Sequence, residues 1–228
     1  MKTVLVTGGA GYIGSHIVAA LAQAGSTPIV LDSFVASSPR VIDRLSRLVG
    51  STVECIRADV RDRVALRSVF AKHPIGAVVH CAGLKAVGES GERPLAYWDA
   101  NVGGAIALIE VMGEAGVAAL VFSSSATVYG QPDSLPVAED ADLRPQSVYG
   151  RTKLVVEDFL RDVAAANANW RIALLRYFNP AGAHVSATIG EAPIGRPNNL
   201  VPFLCRTAAG EFAAVEIFGR DWPTPDGT

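Results

Sequence analysis

The chain is poor in several things, and each shortage removes a class of protein. It has only three cysteines, Cys55, Cys81 and Cys205, in 228 residues. Their number is odd and no C-x-x-C or other metal-type spacing occurs, which argues against a disulfide framework or a zinc site and suits a reducing, cytoplasmic compartment. Charge of one sign is equally scarce, since 20 Lys and Arg stand against 22 Asp and Glu for a formal net charge of −2. With no local cluster of basic residues, neither nucleic acid nor an anionic membrane is an expected partner. No apolar run reaches the roughly 18 residues of a membrane span. The opening Thr3-Val4-Leu5-Val6 stops at Thr7-Gly8-Gly9, far short of the apolar region of a signal peptide. Repeats, heptads and low-complexity tracts are missing too, which sets aside solenoids and coiled coils.

What is present is an apolar chain, half of it hydrophobic, long enough for one complete α/β domain and part of another. Short β-branched runs at Thr3–Thr7, Thr27–Leu31, Thr52–Ile56, Ala77–His80, Ala119–Ser123 and Arg171–Arg176 read as strands buried on both faces. Helical patterning falls between them, at Tyr12–Ala24, Arg40–Leu48, Asp62–Lys72, Pro94–Glu114 and Ser147–Ala166. That alternation predicts an α/β fold with a doubly wound, Rossmann-type parallel sheet. After Arg176 the composition turns to Gly, Pro and Asn, followed by a helix over Asn198–Gly210 and a strand over Ala214–Gly219. The expected division is a dinucleotide-binding domain over residues 1–176 and part of a smaller domain over 177–228. The last residues, Trp222-Pro223-Thr224-Pro225-Asp226-Gly227-Thr228, are turn-rich and read as a cut end.

Three groups of residues carry chemistry. Tyr149 and Lys153 are four apart on an expected helix, so phenol and ammonium share a face, and a nearby cation favours phenolate. The glycine turn Gly8-Gly9-Ala10-Gly11-Tyr12-Ile13-Gly14 follows the first strand and opens a helix, the arrangement that lets backbone N–H groups meet a pyrophosphate. Ser123-Ser124-Ser125 follows the fifth strand at its carboxyl end, the rim where ligands bind in open α/β sheets. There Ser125 can donate to a sugar oxygen and accept from Tyr149. Asp32 ends the second strand and suits a ribose diol. No Arg or Lys follows within Ser33–Ser37 to meet a 2′-phosphate, so NAD is expected over NADP. Asp59 either meets an adenine amino group or caps the next helix. Lys85 either reaches the cofactor or is a solvated loop lysine, and His80 reads as a satisfied core histidine.

Together, Thr7–His16, Ala82–Ser90, Ser123–Gly130, Leu174–Pro180 and Pro197-Asn198-Asn199-Leu200 resemble the extended short-chain dehydrogenase/reductase family, and within it the UDP-glucose 4-epimerases. The resemblance runs in unbroken order from Lys2 to Thr228. It implies an isomerase of galactose metabolism with tightly bound NAD, in which Tyr149 takes the proton of the sugar 4-hydroxyl on the way to a 4-keto sugar, helped by Lys153 and Ser125. Implied cofactor contacts are Gly8, Gly11, Tyr12, Ile13, Gly14, Asp32, Asp59, Val60, Cys81, Ala82, Gly83, Lys85, Tyr149, Lys153 and Phe178. The implied UDP-sugar pocket draws on Lys85, Ser125, Tyr149, Asn179, Asn199, Leu200 and Phe218, and a homodimer is held open as the assembly. Two departures stand out. Ala100 occupies a position where such relatives carry Asn, with Asn101 beside it, and Cys81 replaces a commoner Phe or Ser. Full-length relatives also continue past Thr228 with diphosphate-binding arginines, so weak UDP-sugar binding is implied for the chain as given. Nucleotide-sugar 4,6-dehydratases place Thr-Asp-Glu where this chain has Ser125-Ala126-Thr127. A non-catalytic dinucleotide sensor would need none of Tyr149, Lys153 and Ser125.

Overall fold

The computed structural model describes residues 2–217, 219–222, 224, 225 and 227. Six parallel strands form one sheet: β1 (Thr3–Thr7), β2 (Thr27–Asp32), β3 (Glu54–Arg57), β4 (Ile75–His80), β5 (Ala119–Ser125) and β6 (Arg171–Tyr177). Their order is β3-β2-β1-β4-β5-β6. Strand order therefore reverses between β1 and β4, and a ligand crevice is expected at their carboxyl ends.

Alternation along each strand splits the core in two. Leu5, Ile29, Leu31 and Val78 point to one side, where they meet Leu66 and Val69 of α3 (Arg63–Lys72), Leu108 and Met112 of α6 (Gly104–Glu114), and Val156 and Leu160 of α7 (Val148–Ala166). Val4, Val6, Val30 and Val79 point to the other, against Val18 and Ala19 of α1 (Tyr12–Gln23) and Leu45 of α2 (Arg40–Val49). Leu5, Leu66, Leu108 and Met112 are wholly buried, each such side chain contributing about 1.5–3 kcal/mol. On β6 only one side is covered: Ile172 and Leu174 pack on the core while Leu175 stays 40% exposed.

The structure moves several expected boundaries. The third strand occupies Glu54–Arg57 rather than Thr52–Ile56, because the Val53 N–H is taken by Ser46 Oγ of α2 at 3.0 Å. The long helix over Pro94–Glu114 is three pieces: α5 (Pro94–Tyr97), a π-helical turn at Trp98–Gly103, and α6. Ahead of it lies α4 (Val87–Glu92), whose sequence Val-Gly-Glu-Ser-Gly-Glu has no apolar periodicity to announce it. The helix expected at Asn198–Gly210 is present as α8 (Leu200–Ala208). The strand expected over Ala214–Gly219 does not form: residues 214–217 and 219 are irregular, and Phe218 lies outside the described residues.

Candidate active site

At the β1–β4 switch point the backbone itself is the wall. Gly8 has φ 68°, and a Cβ there would lie 2.7 Å from Ala82 N. Gly14 sits under the same turn, where a Cβ would be 2.2 Å from Gly8 O. Only glycine fits either position. Gly11 caps α1 without any side-chain hydrogen bond to the helix end, so the N–H groups of Tyr12, Ile13 and Gly14, which have no intrahelical acceptor by geometry, are left for an outside group to meet. A glycine cradle, an uncapped helix start and the adjoining Cys81-Ala82-Gly83 backbone fit a pyrophosphate.

Asp32, 8% exposed at the end of β2, ties this cradle together. Its carboxylate accepts from Ala10 N at 3.0 Å, Phe34 N at 2.8 Å and Ser37 Oγ at 2.8 Å. A carboxylate has about four acceptor positions, so one remains, and the Ser37 hydroxyl can yield a second to a ribose diol. The sequence reading looked for cations only after Asp32; the structure finds one beside it. Arg57 is the register partner of Asp32 across β2 and β3, and its guanidinium lies 6.0 Å from the Phe34 ring centre.

Asp59 does not cap α3. That role belongs to Asp62, whose Oδ1 accepts from Val64 N at 2.9 Å and Ala65 N at 3.0 Å. Asp59 instead pairs with Arg61 at 2.6 Å, and that hydrogen bonding holds its carboxyl below the usual range. Val60 is 7% exposed and crowds Gly104 of α6, so its side chain belongs to the core. His80 is a core histidine as read: it is 2% exposed, shares a 2.7 Å hydrogen bond with Thr7 Oγ1, and burial depresses its pKa to about 3.

The proton-handling groups meet at the carboxyl end of β5. Ser147 caps α7 by accepting from Gly150 N at 3.0 Å, which starts the helix in the register that puts Tyr149 and Lys153 on one face. Lys153, 6% exposed, donates to Ser123 O at 2.9 Å and stands 5.8 Å from the Tyr149 ring centre. Burial lowers its pKa to about 8. Ser125 accepts from Thr127 N at 3.2 Å and Thr127 Oγ1 at 2.9 Å, and its hydroxyl lies near enough to Tyr149 to favour the ionised phenol. One electrostatic expectation needs correcting. In the protein alone burial raises the Tyr149 phenol above its ordinary value, with the neighbouring Ser125 hydroxyl working against it. The ammonium donates to a backbone carbonyl, and in the protein alone its charge at this distance does not offset the burial of the phenol.

The residues expected to hold the sugar nucleotide are less gathered. Lys85 is solvated along most of its side chain, yet its Nζ lies 3.1 Å from Glu191, whose side chain is only 8% exposed. Asn199 Nδ2 donates to the same carboxylate. Phe178 and Leu200 are each 65% exposed, and Asn179 is exposed. Tyr12 anchors this stretch to α1 by donating to Gly182 O at 2.8 Å. Sequence reading missed Glu191, and it passed over the support of the Gly83–Lys85 loop. Asn101, in the π turn, accepts from Leu84 N at 2.8 Å and donates to Leu84 O at 3.1 Å and to Thr152 Oγ1 at 3.0 Å. An amide inside an apolar helix pattern was the available signal.

A doubly wound sheet with a glycine cradle at its switch point and a Ser–Tyr–Lys set on the rim defines a dinucleotide-dependent protein built for proton and hydride chemistry on a hydroxyl or carbonyl. The sequence profile described as the NAD dependent epimerase/dehydratase family matches residues 4–227, and the chain belongs to that family. It is 52% identical over 226 residues to the UDP-glucose 4-epimerase of Yersinia pestis, a match spanning 99% of this chain and 67% of the relative. The crystal structure of UDP-glucose-4-epimerase from Stenotrophomonas maltophila with bound NAD and formylated UDP-arabinopyranose resembles it with a TM-score of 0.97 at 51% identity, covering 100% of this chain and 68% of that one. The Bifidobacterium longum enzyme in complex with NAD+ and UDP gives 0.97 at 45% identity with the same coverage. The chain spans about two thirds of the length of these relatives.

Proposed function

We propose that this chain is the NAD-binding part, with a portion of the sugar-nucleotide site, of a UDP-glucose 4-epimerase that interconverts UDP-galactose and UDP-glucose through a 4-keto sugar. The observation that carries the reading is the convergence of Ser125, Tyr149 and Lys153 on the β5 rim beside the Gly8–Ala82 cradle. Residues 1–176 hold the dinucleotide, and 177–228 contribute Asn179, Asn199 and Leu200 to the UDP-sugar. NAD, when bound, supplies hydride acceptance and return at sugar C4.

The rest is done by the chain. Gly8, Gly11 and Gly14 leave room for the pyrophosphate, and the first-turn N–H groups of Tyr12 and Ile13 meet it. Asp32 receives the adenosine ribose, while the backbone of Asp59 and Val60 borders the adenine. Cys81, Ala82, Gly83 and Phe178 line the nicotinamide side, where small residues permit close approach. Tyr149 takes the 4-hydroxyl proton as hydride leaves C4, and Ser125 holds the same oxygen so that the transfer is short. Lys153 steadies the phenolate by its charge. Return of the proton from Tyr149 follows once the keto sugar has turned to present its other face, so the nucleotide must be held firmly and the sugar loosely. Lys85, paired with Glu191 in the structure, contributes a cation to the cofactor and sugar from the loop after β4.

The test is direct. Protein shown to hold NAD is incubated with UDP-galactose, and the products are followed by proton NMR. Appearance of UDP-glucose supports the reading; unchanged UDP-galactose on NAD-loaded protein overturns it.

A further inference from the structure

Glu157 is the most deeply buried carboxylate described in the fold, with a side chain that is 0% exposed, and the proton-handling chemistry makes no use of it. It lies on α7 one turn beyond Lys153 and two beyond Tyr149, on the same face. Ser124 Oγ of β5 donates to it. Arg176 of β6 donates from Nη2 at 2.7 Å and from Nε at 3.0 Å, and Arg161 Nη2 adds a third cationic hydrogen bond at 2.7 Å. Burial pushes its pKa up, but the Arg176, Ser124 and Arg161 hydrogen bonds more than offset this and keep the carboxyl ionised below its usual range. Arg176 then passes the connection on, donating from Nη1 to Tyr129 OH at 2.8 Å and to Glu139 O at 2.9 Å.

Ser125 sits between the two ends of this chain of contacts. Ser124 precedes it, and Tyr129 ends the short 3₁₀ turn, Ala126–Val128, that Ser125 itself caps. A second hydrogen bond between α7 and this end of β5 runs from Lys153 to Ser123 O. A buried ion cluster is weak evidence for stability, because an apolar cluster of the same shape often does as well. Its distinctive property is direction, since every partner must stand in one place. We propose that Glu157 is a positioning residue, locking α7 to the carboxyl end of β5 so that Ser125 is held against the Tyr149 phenol. The inference rests on reading Ser125 and Tyr149 as a proton-handling pair.

Tyr149 is faced by Lys153 from its own helix and by Ser125 from β5, and Ser90 of α4 accepts its amide N–H at 3.2 Å. The neighbouring Glu89 and Tyr97 of α4 and α5 are hydrogen-bonded to each other at 2.9 Å. The experiment measures Tyr149 ionisation in the chain itself, by phenolate absorbance against a Tyr149→Phe background. Removing the Glu157 charge by field alone would make the phenol easier to ionise. Loss of the Ser125 contact would make it harder. Glu157→Gln is therefore expected to move Tyr149 ionisation to higher pH, as Ser125→Ala does, and the double variant no further than Ser125→Ala alone. Ser124→Ala, which cuts the link to β5 but leaves both arginines paired, is expected to move it the same way, and it decides the matter if Glu157→Gln does not fold. In NAD-loaded protein, turnover of UDP-galactose should fall by about tenfold to a hundredfold with KM unchanged. An unmoved or lowered Tyr149 ionisation in the folded variants, or additive shifts in the double variant, overturns the proposal. If ionisation behaves as expected but wild type converts no UDP-galactose, the reaction assignment fails while the positioning role stands.

Discussion

At the scale of single residues, the site shows how far burial reshapes ordinary chemistry. Lys153 has a folded pKa near 8 because its ammonium is desolvated. Between about pH 8 and pH 10.5 the unfolded chain therefore binds more protons at this position than the folded one, so this group's stability contribution rises with pH through that window and its full cost is present below pH 8. Lys153→Met is expected to melt at a higher temperature than wild type near neutral pH, with an advantage that shrinks toward pH 10.5, while turnover drops. Thermal melts at several pH values check this; a lower melting temperature for the variant throughout would contradict it. Asp32 makes the second residue-scale case. Wild type is expected to bind NAD in preference to NADP because a 2′-phosphate would meet the Asp32 carboxylate. Arg57 stands in register next to it, so Asp32→Ser should narrow that preference by about tenfold or more, since like-charge repulsion of several kcal/mol is removed. Titration of both cofactors by protein fluorescence gives the ratio, and equal affinities in wild type would remove Asp32 from the role.

Elements decide where those residues stand, and here legibility was uneven. Strands β1, β2, β4, β5 and β6 could be read to within two residues at either end, β4 starting earlier and β5 running later than expected, because β-branched runs bounded by glycine or polar residues have few other solutions. The segment 87–114 could not. The apolar residues of Pro94–Glu114 suggested one helix, but Asn101 must reach the Leu84 backbone, and the chain achieves this with a π turn that no apolar period encodes. Asn101→Ala would strip the Leu84 N–H of its acceptor, at a cost of about 1–3 kcal/mol, and should weaken NAD binding through the Gly83 loop. Denaturant unfolding combined with NAD titration separates the two effects; unchanged NAD affinity would show that the loop needs no such brace. By contrast, Leu108→Ala on α6 opens the wholly buried core and should cost about 2–5 kcal/mol of unfolding free energy without touching the site.

For the molecule as a whole, the strand order β3-β2-β1-β4-β5-β6 brings together groups that are far apart in sequence. Gly8 meets Ala82 across the switch point, and Ser125 meets Tyr149 one strand further along. The sequence carried the dinucleotide half of this legibly, since each residue type sits at a strand end where the fold leaves little choice. Glu157 and Glu191 were invisible to it, because a buried carboxylate is written no differently from a solvated one until its partners are in place. Tyr149 carries the greatest weight in the proposed chemistry, since the same phenol must accept and return the proton of the sugar hydroxyl. The decisive measurement is the rate of UDP-galactose conversion by NAD-loaded wild type and Tyr149→Phe side by side, with NAD affinity measured on the same samples. The expected result is a loss of at least about two orders of magnitude in turnover with NAD affinity nearly unchanged; wild-type rates in Tyr149→Phe would contradict the assignment.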